Sequence, residues 1–383
     1  MAGSTLTNLI PDAYAALDVV SRELTGLIAS VTRDSTADRV AAGQTLRSIV
    51  APVNSAGADI TPAMTIPADA PQTIGNKSLT ISNNRFFPFS WTNQQQYAAD
   101  MGPGYLNIRQ NQIAQAIRAA VNEIEASIAV AAKNGASRAF GATAGTAPVL
   151  GDFASIKKIL DDNGAPQSDR SVIFDTAAGV SLRSTSSLFK VNEAGDQTLL
   201  RQGLLGSLYG FDLRESGSIQ TTTKGAMTGA LINSASQAIG DTTLTFDGGT
   251  VNTTGIVAGD IITIAGDSNK YVVATGATTT TGTIVINAPG LRTAVADNSA
   301  ITVFGTSTRN IALSRNAIVL ATRLPELPDG GDLALDRETI TDPRTGLSME
   351  LAMYPGFRMA TYHISVCWGV TVFKPEHVGV IVG

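Results

Sequence analysis

The sequence predicts an α+β fold in which an all-β region is inserted into a mixed framework of helices and strands. The first observation is a long amphipathic helix, predicted from about Tyr105 to Asn134 by apolar residues at helical spacing. The second is the stretch 221–308, which is rich in Thr and Gly, has very few charges and holds short β-like runs. The third is that the mixed texture resumes after Thr308, which indicates that the β region interrupts a framework.

Composition limits the classes of function. The chain has 383 residues, a length that suits two or three domains. Hydrophobic residues make up 43% and charged residues 15%, so a sizeable core can form. The net charge is -5 and no basic run is present, which argues against a module that reads DNA sequence. If the protein encloses DNA, we expect it to surround the DNA without recognising its sequence.

The cellular compartment follows from equally simple features. The single cysteine, Cys367, excludes an intrachain disulfide and fits folding in a reducing cytoplasm. The first residues lack the positively charged start of a secretory signal. No apolar run reaches the ~18 residues of a membrane helix. We therefore expect a soluble protein made in the cytoplasm, with no membrane partner.

The N-terminal region predicts an amphipathic helix that begins near Pro11. Proline suits the first turn of a helix, and Asp12 is favourable at the positive end of the helix dipole. Apolar residues then recur at helical spacing as far as Val31. Two interpretations remain open: the helix packs on the protein's own core, or it is an arm that contacts neighbours or an assembly partner.

A protruding hairpin is predicted after an irregular, Pro- and Ala-rich segment at 52–76. Two β-like runs, Lys77 to Ser82 and Arg85 to Trp91, flank an Asn-Asn pair that suits a turn. Exposed aromatic side chains on such a hairpin need a cover. The candidate contacts to a neighbouring subunit are therefore Phe86, Phe87 and Trp91.

Beyond the long helix, the framework predicts a small α/β arrangement. A helix from Asp152 to Asn163 is ended by Gly164 and is followed by a buried strand, Ser171 to Phe174. Near the C-terminus, strands are predicted in a sheet that packs on the long helix. They are Met349 to Met353, Met359 to Phe373 and Val378 to Val382.

The all-β region predicts a small barrel or sandwich. Its strands are predicted at 242–246, 260–264, 271–273, 283–286 and 300–304. A polar turn from Asp267 to Lys270 joins two of them. This turn is either a solvated loop, or a tip at which Asp267 and Lys270 form salt bridges across a subunit interface.

The residues for catalysis or metal binding are sparse. The only histidines, His363 and His377, form no metal-ligand spacing with Cys367, and structural roles explain all three. Neither a phosphate-binding loop nor a nucleophile elbow occurs in the sequence. The segment Asp329 to Asp332 is better explained as a turn than as a cation site. The sequence therefore predicts no enzyme activity, no cofactor and no metal.

Four stretches carry a family resemblance. They are the helix and strand from Phe153 to Phe174, the Gly-spaced segment from Leu200 to Ser216, the strand pair from Val257 to Gly266, and the closing part from Asp342 to His377. In this order they resemble the major capsid (coat) proteins of tailed double-stranded-DNA bacteriophages. Those proteins share the Hong Kong 97-type capsid fold, and the likeness is to the branch of short-tailed lambdoid phages, which carries an inserted β-barrel domain.

The resemblance implies a division of the chain into parts. Residues 1–50 would be an N-terminal arm and 51–100 an extended loop or hairpin lying across a neighbour. Residues 101–148 would be the peripheral domain with its spine helix. The axial domain would comprise 149–220 and 309–350, interrupted by the inserted β-barrel domain at 221–308. Residues 351–383 would return to the peripheral domain as C-terminal strands.

The resemblance also implies a function. The protein would self-assemble as hexamers and pentamers into an icosahedral virion capsid in the host bacterial cytoplasm, enclosing double-stranded DNA without sequence-specific binding. A separate scaffolding protein and a portal protein would be partners, because no long N-terminal segment suggests a built-in scaffold. Three alternatives remain: the shell of a cellular encapsulating compartment, a β-rich phage tail or surface protein, and an unrecognised enzyme.

Overall fold

The long helix predicted from the sequence is the central element of the structure. The computed structural model describes residues 24–50, 75–100, 105–141, 143–185, 206–234 and 236–383. The helices are α1 Leu27–Ser30, α2 Asn93–Asp100, α3 Tyr105–Gly135, α4 Leu150–Asp162 and α5 Thr176–Arg183. Helix α3 begins at the predicted residue and ends one residue later than predicted. Its buried stripe contains Ile113, Ile117, Val121, Ile124 and Ile128.

The strands occupy most of the remaining described chain. In the first half they are β1 Thr32–Val40, β2 Thr45–Val50, β3 Gly75–Thr80, β4 Asn83–Thr92, β5 Arg138–Phe140, β6 Arg170–Phe174, β7 Ser207–Leu208, β8 Phe211–Glu215, β9 Thr221–Thr222, β10 Met227–Thr228, β11 Leu231–Ile232 and β12 Ser236–Gln237. In the second half they are β13 Thr243–Asp247, β14 Thr250–Val251, β15 Ile261–Ile264, β16 Lys270–Thr275, β17 Gly282–Ile286, β18 Val295–Ala296, β19 Ile301–Val303, β20 Ser307–Ser314, β21 Ile318–Pro325, β22 Asp336–Thr341, β23 Ser348–Gly356, β24 Met359–Val372 and β25 Val378–Val382.

One sheet packs against α3. Its strand order is β1-β21-β24-β23-β22, and β4 also pairs with β24. Alternate residues of β24, including Ile364, Val366 and Trp368, enter the same apolar core as the buried stripe of α3. The indole N–H of Trp368 donates to the Ser127 hydroxyl of α3 at 3.1 Å. The prediction that β23 and β24 form a sheet on the long helix is therefore confirmed.

A second, larger sheet carries the small α/β arrangement. Strand β20 lies between β25 and β6, and β6 continues to β8 in parallel. Helix α4 covers this sheet through Phe153, Ile156 and Leu160, which share a core with Phe174. Helix α4 and strand β6 lie within two residues of the predicted elements.

The chain passes between the two sheets more than once. Strands β21 and β22 belong to the sheet on α3. Conversely, the last strand, β25, lies between β20 and β5 in the larger sheet and is buried along its whole length. The chain crosses from the larger sheet to the sheet on α3 at the 3-10 turn Arg315–Ala317 and returns to the larger sheet at the 3-10 turn Pro375–His377. Local sequence does not reveal these crossings. The division of the chain into peripheral and axial parts stays a prediction.

The β region has its own apolar core. Strands β11, β13, β17, β16, β15 and β19 are hydrogen-bonded in that order. The ring closes where the Ile232 N–H donates to the Ser299 carbonyl at 2.9 Å and the Ile301 N–H donates to the Ala230 carbonyl at 2.8 Å. These strands therefore form a small barrel, which is attached to the framework by pairing of β16 with β5. That 221–308 is a separately inserted domain stays a prediction.

The predicted hairpin around Asn83-Asn84 is wrong. Strand β3 pairs with β2, from Thr45 opposite Thr80 to Val50 opposite Gly75. Strand β4 pairs instead with β24. The hairpin of this region is thus β2–β3, and its connecting residues 51–74 lie outside the described part of the chain. Of the predicted N-terminal helix, residues up to 23 also lie outside it, and only α1 near the end is described as helical.

Candidate functional site

The hairpin β2–β3 is the first candidate surface for contacts between molecules. Gly75 to Ser78 are exposed, whereas Leu79 at its base is 2% exposed. Leu79 and Ile81 share a small apolar cluster with Ala321 and Cys367. The Lys77 ammonium group donates to the Phe373 carbonyl. The base of the hairpin is therefore fixed on the sheet, while its outer part has no cover within the described chain.

The three aromatic candidates lie on the edge strand β4 and face in different directions. Trp91 is 8% exposed, belongs to the core under the sheet, and donates its indole N–H to the Gln112 side chain. Phe87 is half-buried against the same core. Phe86 is 58% exposed, and its ring centroid lies 4.8 Å from that of His363. Successive side chains of a strand alternate between its faces, so Phe86 alone of the three presents an exposed ring.

A second apolar surface, which the sequence interpretation missed, lies at the turn between β23 and β24. Phe357 is 90% exposed, and Arg358 beside it has a φ of 56°, in the left-handed region. Leu333 and Leu335, just before β22, are 85% and 64% exposed. We call Leu333, Leu335 and Phe357 the apolar tip. The Pro355-Gly356 pair that ends β23 just before Phe357 is the sequence signal that could have identified this turn.

The apolar tip is supported by ordered polar contacts. The Tyr354 hydroxyl donates to Asp332 at 2.7 Å, and Arg337 forms an ion pair with the same carboxylate. The Leu335 N–H donates to the Met353 carbonyl at 2.8 Å. These bonds hold the segment before β22 alongside the end of β23. Asp332 is thus engaged in an ion pair with Arg337.

The polar turn of the barrel packs on its own chain. Asp267 accepts from the Tyr271 hydroxyl at 2.6 Å and from the Asn269 N–H at 2.9 Å. The Lys270 ammonium group donates to the Gly141 carbonyl and lies 4.3 Å from the centre of the Phe304 ring. Asp267 and Lys270 therefore have intrachain partners. A salt bridge of either residue to a neighbouring subunit stays a prediction.

The cysteine and the two histidines considered for catalysis or metal binding lie in surroundings that fit structural roles. Burial raises the pKa of the Cys367 thiol to about 11, so it is protonated at neutral pH. The ring of His363 lies 4.8 Å from the rings of Phe86 and Tyr354 in tilted contacts, and burial lowers its pKa. His377 is buried, and burial lowers its pKa as well. No group of three or more potential metal ligands occurs in the described ranges.

No helix among the described residues is both long enough and apolar enough to cross a membrane. The sequence matches no protein-family model, and no curated protein matches it.

Solved structures do resemble the fold. The capsid structure of the cyanophage P-SCSP1u has a TM-score of 0.54 at 11% identity, covering 100% of this chain and 91% of the other. A structure from Mycobacterium phage Che8 has a TM-score of 0.46 at 16% identity, covering 96% and 90%. The mature capsid of bacteriophage PhiM1 has a TM-score of 0.48 at 8% identity, covering 95% and 87%. The cyanophage likeness spans the whole chain and confirms the α+β phage-capsid fold.

Proposed function

We propose that this chain is the major capsid protein of a tailed phage, a structural subunit that assembles in many copies into an icosahedral shell. The observation that carries the proposal is the likeness over 100% of its length to a chain of a cyanophage capsid, with a TM-score of 0.54. The proposed role is structural and not enzymatic.

The exposed surfaces support an assembly role by their number and separation. The outer part of the hairpin β2–β3, Phe86 on the edge strand and the apolar tip are three different apolar or edge surfaces that stay largely exposed in the described residues. Exposed apolar patches on a monomer mark interaction surfaces. In a closed symmetric shell, several modest interfaces of this kind are multiplied over all copies.

The proposed partners follow from the same role. We infer contacts with other copies in hexamers and pentamers, assembly with a separate scaffolding protein, a portal protein at one vertex, and enclosure of double-stranded DNA in the virion. The net charge of -5 and the lack of a basic run fit enclosure without sequence-specific binding.

Co-expression with the genes that flank it in its genome tests the proposal. The lysate is separated on a sucrose gradient and the fast fractions are viewed by electron microscopy. Uniform icosahedral shells are the expected result. A chain that stays monomeric with every flanking gene present would show the proposal to be wrong.

A variant of the apolar tip tests the proposed contact separately. Phe357→Asp places a charge on a side chain that is 90% exposed, so the subunit should fold with an unchanged melting temperature but form far fewer shells. Phe357→Tyr keeps the ring and is the matched control, which should assemble normally. Normal assembly of Phe357→Asp would remove the apolar tip from the interfaces and leave the capsid assignment in place.

A further inference from the structure

A small cavity lies between the C-terminal half of the long helix and the strands that face it. Its volume is about 150 Å³. Its lining includes the side chains of Lys133 from α3 and Arg309 from β20, and residues 218–222 around β9. Both charged residues of the lining are cations.

Arg309 is the unusual member of this lining. Arg309 is 2% exposed, and the only side-chain hydrogen bond that it donates within the described chain joins Nη1 to the Ser307 hydroxyl at 2.7 Å. Nε and Nη2 are buried and have no acceptor among the described residues. A buried guanidinium is normally paired, because an unsatisfied charged donor carries the full cost of its desolvation. Two adjacent N–H groups of Arg309 therefore lack the bidentate partner that their geometry suits.

Lys133 adds a second positive charge from the opposite wall. Its ammonium group donates to the Thr222 hydroxyl at 3.3 Å, which leaves further N–H donors on the same nitrogen. Burial lowers the pKa of Lys133, and repulsion by Arg309 lowers it further. Two cations thus line one cavity, and their burial and mutual repulsion cost free energy. An anion bound in the cavity would offset that cost.

The nearest acid does not fill this role. Asp260 is fully buried and attracts both cations, but its oxygens accept N–H bonds from Gly225 at 3.1 Å and from Val257 at 2.8 Å. In the described residues it forms no ion pair with Lys133 or Arg309, and it does not line the cavity. This region therefore has two positive charges and one negative charge, and the carboxylate that carries the negative charge is already bonded to backbone amides.

We propose that this cavity binds a small inorganic oxyanion, phosphate or sulfate, between Arg309 and Lys133. Two oxygens of the anion would accept the Nε and Nη2 hydrogens of Arg309, and another would accept from Lys133. The Thr222 hydroxyl, which accepts from Lys133, keeps its own hydrogen as a further donor. Because Lys133 belongs to α3 and Arg309 to β20, the anion links the long helix to the larger sheet. The proposal does not depend on the capsid role.

Equilibrium dialysis of the full-length chain against radiolabelled orthophosphate measures the binding directly. Wild type should bind about one phosphate per chain, and sulfate should displace it while chloride at the same ionic strength should not. Arg309→Met removes the bidentate donors and should weaken binding by about tenfold or more. Lys158→Met, on the exposed face of α4, removes a lysine outside the cavity and is the control that should bind like wild type.

Thermal unfolding provides an independent measurement. Phosphate should raise the melting temperature of wild type and of Lys158→Met, relative to chloride, more than that of Arg309→Met, because a ligand that binds only the folded state stabilises it. The general stabilisation of folded proteins by phosphate acts on all variants alike. The comparison is made between two buffers for each variant, so the variant's own change in stability cancels. If Arg309→Met does not fold, Lys133→Met replaces it in both experiments. Wild type that binds neither phosphate nor sulfate more than chloride would overturn the proposal.

Discussion

Glu125, in the middle of the long helix, accepts the backbone N–H of Leu27 at 2.7 Å across 98 residues of sequence. The Ser216 hydroxyl donates to the same oxygen at 2.8 Å, and the second oxygen accepts the N–H of Ile28 at 2.9 Å. Glu125 is 1% exposed. The backbone amides at the start of a helix have no partners within it, and here one buried carboxylate satisfies the first two of α1. Glu125 therefore fixes the chain that leads into strand β1.

Replacing this carboxylate should weaken the fold. In Glu125→Gln one oxygen becomes an NH2 group, which faces an N–H or O–H donor instead of accepting from it. Leaving a buried donor unsatisfied costs about 1–3 kcal/mol. We expect the free energy of unfolding of the unassembled subunit, measured with urea, to fall by about this amount.

Glu123, two positions earlier on the same helix, provides the matched control. Its side chain is 41% exposed, and its nearest cation, Arg85, lies 3.7 Å away. Exposed ion pairs contribute little, so Glu123→Gln should change the free energy of unfolding by less than about 0.5 kcal/mol. Equal losses in the two variants would contradict the role assigned to Glu125.

The pH dependence of stability should reveal the same carboxyl group. Burial raises the pKa of Glu125 above its ordinary value of 4.5, although the hydrogen bonds that it accepts from Leu27, Ser216 and Ile28 oppose the rise. The folded state therefore holds this proton to a higher pH than the unfolded state does. Its contribution to stability is full below pH 4.5 and is lost as the pH rises through the folded pKa.

Urea unfolding of wild type and Glu125→Gln over a pH series isolates this effect, because other titrating groups cancel in the difference. The stability advantage of wild type over the variant should become smaller as the pH increases from 4.5 towards neutrality. An advantage that grows with pH would mean that the folded pKa lies below the unfolded one.

Local sequence patterns predicted the positions of helices and strands much better than they predicted which strands pair. Helix α3 was placed to within one residue because apolar residues recur over many turns. Five of the six barrel strands were placed to within two residues because Gly-rich turns bound β-branched runs, whereas the two-residue strand β11 was not predicted. The hairpin failed because β4 pairs with β24, more than 260 residues later, while β3 pairs with β2. Pairing at that separation leaves no signal in neighbouring residues.

The aromatic residues proposed as contacts to a neighbouring subunit show the same limit of local sequence patterns. Phe87, Phe89 and Trp91 alternate along β4, a period-2 pattern that indicates a common face. The pattern does not say whether that face meets the core or a neighbour, and the position of α3 decides it. Glu125 was not identified from the sequence either, because one acid on a helix with many polar residues has no distinguishing spacing.

The difference between the two faces of β4 leads to a last prediction. Trp91→Ala empties a site that is 8% exposed beneath the sheet, and truncating a buried Trp costs about 3–5 kcal/mol. Phe86→Ala removes a ring that is 58% exposed and contacts His363, so its effect on the free energy of unfolding should stay below about 1 kcal/mol.

Urea unfolding of the unassembled subunit and shell yield on a gradient separate the two effects. Trp91→Ala should lose both stability and shells, because a subunit with a damaged core cannot present its surfaces. Phe86→Ala should keep its stability and lose shells only if the exposed ring contacts a neighbour. A Phe86→Ala subunit as unstable as Trp91→Ala would mean that the strand is packed the other way round, with its even-numbered side chains in the core.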